Sequence, residues 1–171
     1  MDHSEFVKLY HGRGSNIMGN ITEHFSWEEA ETTSHRDLNN KIPPELQRVV
    51  INTARQMERV RAILGNRSIH INSWYRSPEV NAAVGGSTSS QHSKGEAVDF
   101  VCPDFGGPLD VCRKIIQYQD LIKFDQLIYE HTWIHISFLP DPNAKPRGQV
   151  LTLLNNKKYA VGLTNKQGVP V

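Results

Sequence analysis

The chain has 171 residues, a length that suits one domain with a sizeable core, and its 19 Lys and Arg nearly balance 18 Asp and Glu. That balance announces neither nucleic acid nor an acidic polymer as partner, and no apolar run is long enough to span a membrane. The start, MDHSEFVKLYHGRGSN, has neither a basic head before an apolar core nor a small-residue cleavage site, so no ordinary secretion signal is expected.

Residues 1–19 are polar and Gly-rich and are expected to form a loosely ordered arm. Ser26-Trp27-Glu28-Glu29 reads as a capping box that opens a short helix. Pro43 or Pro44 starts the longest helix, with Leu46, Val49, Val50, Thr53, Met57, Val60 and Leu64 on one stripe and Gly65-Asn66 at its end. Arg48, Arg55, Arg59 and Arg61 fall on several of its faces among Glu residues, which reads as a solvated surface. Ser68 to Trp74 is a predicted strand, with Ile69 and Ile71 on one face. Ser77 caps a short helix that has Pro78 at its first position and ends in Gly85-Gly86.

Ala97, Val98, Phe100 and Val101 frame Asp99 as a strand residue. Pro108 to about Lys123 reads as a second amphipathic helix, with Leu109, Cys112, Ile115, Ile116 and Leu121 inward. Cys102 and Cys112 make no disulfide framework; two buried thiols are expected, with one local disulfide as the minority reading. Gln126 to Tyr129 is a further strand, leading through Glu130-His131-Thr132 into the strand around His135. Beyond Phe138 comes a Pro-rich loop, then QVLTLL and KYAV as a hairpin or irregular tail without obvious chemistry.

Three residues are candidate metal ligands, each of which alone could also be an ordinary structural residue: a solvated loop His92, an Asp99 bonded to backbone donors, a core or surface His135 beside Trp133. His92 precedes Asp99 across Gly95, which permits a close backbone approach, and a carboxylate beside an imidazole suits zinc when a third ligand joins. In WIHISF the alternation turns His135 to one face and Ile134, Ile136 and Phe138 to the other. A His92, Asp99, His135 set leaves one coordination position open, as in a catalytic rather than a structural zinc site.

The strings SxHxxGxAxD (Ser90 to Asp99), WxH (Trp133 to His135) and YRSPxxN (Tyr75 to Asn81) together resemble the zinc peptidases of family M15. That family includes D-alanyl-D-alanine carboxypeptidases, dipeptidases of vancomycin resistance and phage endolysins that cut L-alanyl-D-glutamate bonds. The resemblance implies an α+β fold, an antiparallel sheet packed with helices, similar to the hedgehog signalling domain. It implies a zinc peptidase domain over residues 20–140, with residues 141–171 packed on it. It assigns zinc to His92, Asp99 and His135, and substrate contacts to Arg76 and Ser90, although Arg76 could instead pair with Glu79.

The family's general base stands shortly before the final His, often as Glu-x-x-His. Here Thr132 holds that position and the nearest acid is Glu130, with Glu96 as competitor, so a turn at His131-Thr132 is required. His131 is open as a fourth ligand, an outer hydrogen-bond donor, an oxyanion stabiliser or an exposed residue. The implied partner is the peptidoglycan stem peptide, with no nucleic acid or membrane, and the chain is expected to be a monomer. The expected enzyme is a phage or prophage endolysin made in the cytoplasm and released to the wall, or a virion lysin. A D-alanyl-D-alanine carboxypeptidase and a non-catalytic zinc-containing murein-binding module are the alternatives.

Overall fold

A computed structural model of the protein describes residues 19–171; the expected N-terminal arm lies outside them apart from Gly19. Helix α1 (Trp27–Ala30) is too short to persist alone and is fixed by its cap. Ser26 Oγ accepts from the Glu29 N–H at 3.2 Å, and Glu29 Oε2 accepts from the Ser26 N–H at 2.8 Å. A 3-10 turn at Pro44–Leu46 leads into α2 (Gln47–Ile63), whose Val50, Thr53, Met57 and Val60 are buried as the stripe requires, joined by Ile51 and Ala54. Gly65 and Asn66 end it, both at positive φ. Arg48, Arg55 and Arg59 are exposed. Helix α3 (Pro78–Ala83) has Ser77 as its cap, the hydroxyl accepting from the Val80 N–H at 3.2 Å.

Helix α4 (Pro108–Gln117) is shorter than its sequence pattern suggests. Leu121, expected inward, is 50 % exposed, because the chain leaves the helix at Tyr118 and Ile122 takes the buried place instead. Val111, Cys112 and Ile115 form its buried face, and both cysteines are free buried thiols. Burial pushes the Cys112 thiol up to about 12.

Six strands, β1 (His70–Ser73), β2 (Ala97–Val101), β3 (Gln126–Tyr129), β4 (Ile134–Ser137), β5 (Gln149–Leu153) and β6 (Tyr159–Val161), form one sheet in the order β1-β2-β4-β3-β5-β6. The sheet is antiparallel except at one pair: β5 runs parallel to β3. This departs from the all-antiparallel expectation for a simple reason. β4 and β5 flank β3 on opposite sides, so the 138–148 loop rounds the N-terminal end of β3 and launches β5 in the direction of β3.

Period-2 alternation gives the sheet two different faces. Val98, Phe100, Leu127, Ile134 and Ile136 join Trp74, Phe25, Met57 and Phe138 in one core, with α4 packed on β3 and β4 and α1 on β1. Full burial of each such side chain contributes about 1.5–3 kcal/mol, which outweighs any helix cap. Asp99 and His135 point to the opposite face, and β2 pairs with β4 in the register that sets them directly across from one another.

Gly95 anchors this arrangement to α2. Its φ is +74°, and a Cβ there would meet Val50 Cγ2 at 2.8 Å. Its carbonyl accepts from Thr53 Oγ1 at 2.9 Å and from Trp74 Nε1 at 3.4 Å. Gly95→Ala is therefore expected to lower unfolding stability by more than about 1 kcal/mol, seen as an earlier denaturant midpoint at unchanged slope. An unchanged midpoint would show that α2 yields freely at Val50.

Candidate active site

Each functional side chain is aimed by backbone outside its own residue. The 3-10 turn His92–Lys94 follows the Ser-rich loop, and Ser90 Oγ accepts from the His92 N–H at 3.2 Å. His92 Nδ1 donates to the Trp74 carbonyl at 2.7 Å, a bond that selects the tautomer with the Nε2 lone pair directed at Asp99. Trp74 is wholly buried, with its ring edge-on to Phe25 at 6.1 Å between centroids, so the carbonyl that aims His92 is itself fixed by the core.

His92 Nε2, Asp99 Oδ1 and His135 Nδ1 converge at 3.1 Å, 2.9 Å and 3.2 Å from one another. Two ring nitrogens and a carboxylate oxygen facing one point repel one another unless a proton or a cation lies between them. Tetrahedral zinc with ligands at about 2.0–2.1 Å has edges of about 3.3 Å, close to these separations, and a nitrogen and oxygen donor set suits it. All three residues are buried, and together they form the group among the described residues able to hold a metal ion. Burial alone would raise the Asp99 carboxyl; the His92 and His135 imidazoles outweigh it and hold it well below the usual carboxylate range.

Arg76 serves this carboxylate directly. Its Nη2 donates to Asp99 Oδ2 at 2.9 Å and its Nε to Ser73 Oγ at 2.9 Å, so it pairs with Asp99 and not with Glu79. Nη1 has no hydrogen-bond partner among the described residues. Buried Asn40 holds the corner from which Arg76 projects, donating to the Tyr75 carbonyl at 3.0 Å and accepting from the Ser77 N–H at 2.8 Å.

The same sheet face forms a cleft of about 420 Å³. His92, Asp99, His135, Arg76, Ser90 and Glu130 all line it, as do Trp133, Gln126 and Ile128. Gln126, Ile128 and Glu130 alternate along β3, and Ile128 pairs with His135, so Glu130 reaches the cleft from the strand beside His135. The required turn is present: the Glu130 N–H donates to the Trp133 carbonyl at 3.1 Å around His131, which has φ +64°. Glu96 is not part of the cleft lining. A larger hollow of about 970 Å³ near Trp27 and Arg36 lies away from the three ligands.

A comparison with protein families matches peptidase M15 over residues 23–137, well over half of the chain and inclusive of all three ligands. The chain belongs to the peptidase M15 family. A search of curated proteins finds no match. Within this M15 peptidase the cleft gathers His92, Asp99, His135, Arg76, Ser90 and Glu130, while Glu96 and His131 stay outside its lining. His131 sits in the turn, and its Nε2 donates to the Leu153 carbonyl at 2.7 Å.

Two cleft residues, Arg147 and Tyr159, lie beyond the family match, in the segment where the sequence offered no motif. Arg147 grips buried Asp125 through Nε, at 3.1 Å and 3.0 Å from the two carboxylate oxygens, through Nη2 at 2.6 Å, and through its backbone N–H at 3.0 Å. Gln91 Nε2, next to His92, donates to the same carboxylate at 3.1 Å. Asp125 thereby clamps the His92 loop, the start of β3 and the approach to β5 together. Arg147 holds the Asp125 carboxyl below the usual range, against the opposing pull of burial.

Two outcomes are expected of this site. Zinc at a free concentration 100-fold above its Kd should raise unfolding stability by about 2.7 kcal/mol, and His92→Ala or His135→Ala should abolish the gain; a gain that survives both substitutions places the ion elsewhere. A group whose folded pKa is depressed stabilises above its unfolded pKa of about 3.9 and loses that contribution as pH falls through the folded value. Asp125→Asn should therefore unfold more easily than the parent at neutral pH, by more than about 1 kcal/mol, with the gap narrowing below about pH 4. A gap that does not narrow on acidification assigns the loss to packing.

Proposed function

We propose that this M15 peptidase is a zinc endopeptidase of bacterial peptidoglycan, of the endolysin type, that cleaves the L-alanyl-D-glutamate bond of the stem peptide. The observation that carries the reading is the convergence of His92 Nε2, Asp99 Oδ1 and His135 Nδ1 on one point in a cleft that also holds Glu130 and Arg76. When bound, zinc supplies polarisation of the scissile carbonyl and a lowered pKa for water. His92, Asp99 and His135 would hold it.

Glu130 is the general base in this reading. Burial and the Asp99 carboxylate push its carboxyl up, while His135 and Arg76 pull the other way with smaller effect. A raised pKa makes the carboxylate a stronger base. Glu130 takes one proton from the attacking water as the C–O bond forms, then delivers it to the amine nitrogen as the C–N bond breaks. Arg76 braces Asp99 with Nη2 and keeps Nη1 for a carbonyl or carboxylate of the stem, and Ser90 at the cleft edge orients the peptide. No helix among the described residues is long and apolar enough to cross a membrane. The proposed place of action is the cell wall, reached after release from the cytoplasm, with the stem peptide as partner and the protein acting as a monomer.

The test is digestion of purified Gram-negative peptidoglycan by the zinc-loaded protein, with mass spectrometry of the soluble fragments. New amino termini on D-glutamate are expected. Glu130→Gln should lower kcat by about 10²–10⁴-fold with zinc content unchanged. Release of free D-alanine would make the enzyme a carboxypeptidase, and zinc binding without any cleavage would leave a binding module.

A further inference from the structure

The family match ends at residue 137, yet the cleft wall continues into β5 and β6. Strand register explains how. β5 lies beside β3 with Ile128 level with Leu151 and Tyr129 with Thr152, so Leu153 follows at the level of Glu130. β6 then pairs Tyr159 directly across from Leu153. Tyr159 thus stands on the cleft face two strand spacings from Glu130, about 10 Å between backbones, a gap that a tyrosine and a glutamate side chain leaning toward each other can bridge. His131 ties the Glu130 turn to the carbonyl of that same Leu153, which fixes the two residues relative to one another.

The chemistry of Tyr159 is unused within the fold. Its side chain is 51 % exposed, and its hydroxyl has no hydrogen-bond partner among the described residues. Arg147, the other wall residue of this segment, is committed to Asp125. Tyr159 is therefore a neutral donor available on the β6 side of the cleft. Burial, then Glu130 and Asp99, push its phenol up, so it stays protonated at working pH.

Resting on the peptidase reading above, we propose that Tyr159 is a further catalytic residue, its phenol O–H donating a hydrogen bond to the scissile carbonyl oxygen as negative charge develops there. No proton is transferred; the donor stabilises charge that the ground-state carbonyl lacks, so the effect falls on kcat and not on KM. The C-terminal hairpin is in this sense part of the active site.

Tyr159→Phe removes one oxygen and keeps the ring, so β6 stays packed. The variant is compared with the parent for zinc content, melting temperature, turnover of peptidoglycan, and calorimetric binding of a phosphinate analogue of L-alanyl-D-glutamate, whose tetrahedral oxygens stand where the carbonyl oxygen would. The expected result is unchanged zinc content and melting temperature, kcat lowered about 10- to 100-fold at unchanged KM, and phosphinate binding weakened by at least about tenfold, at or below the range for an oxyanion donor because the residue is half-exposed. Equal kcat and equal phosphinate affinity overturn the role of Tyr159 and leave the peptidase reading standing. A parent protein that binds the phosphinate without cutting peptidoglycan loses only the substrate assignment, and the binding ratio then decides for or against Tyr159. A parent that neither cuts nor binds ends both.

Discussion

Asp99 is a buried carboxylate with a separate task for each oxygen. Oδ1 faces the two imidazoles, and Oδ2 accepts from Arg76, whose Nε is steadied by Ser73. Ser73 stands across from Asp99 because the β1–β2 register shifts between Ile71 and Ser73. An ion buried so deeply costs several kcal/mol unless partners surround it, so the positions of His92, His135 and Arg76 are conditions for the fold as well as for the chemistry. The helices, the Gly95 turn and the Trp74 core are arranged so that these conditions are met together.

The sheet serves two purposes by separating its faces. One is greasy and carries the stability; the other is polar and carries donors and acceptors on rigid strands, where small errors in placement are suppressed. Glu130 sits at the end of β3, where strand order gives way to a turn, and its tether through His131 to Leu153 restores the rigidity that the turn gives up.

Much of this was readable in the sequence, for identifiable reasons. The Ser26 capping box, the Ser77 cap, the α2 stripe and the alternation around His135 are local patterns, and local patterns fix local geometry. Glu130 was legible as an acid, but distance counted along the chain misjudges its reach, which is set across neighbouring strands by the pairing of Ile128 with His135. His131, left open by the sequence, takes a left-handed backbone that no periodic pattern announces, and Leu121 was misplaced by carrying helical period past the true end of α4. Arg147 and Tyr159 had no local signature at all. They reach the cleft only because β5 docks parallel to β3, a long-range pairing that no sequence period encodes.

That docking also gives the protein an order of assembly. The three residues able to hold a metal ion have all been synthesised by His135, whereas the strands that hold the Glu130 turn and close the cleft wall follow later in the chain. β5 pairs with a strand made well before it, so this side of the cleft wall cannot close until that later segment is present. The candidate ion ligands therefore precede, along the chain, the segment that finishes the cleft. For a protein whose proposed substrate is the wall of the cell that makes it, the cleft is complete only once the β5–β6 hairpin has docked.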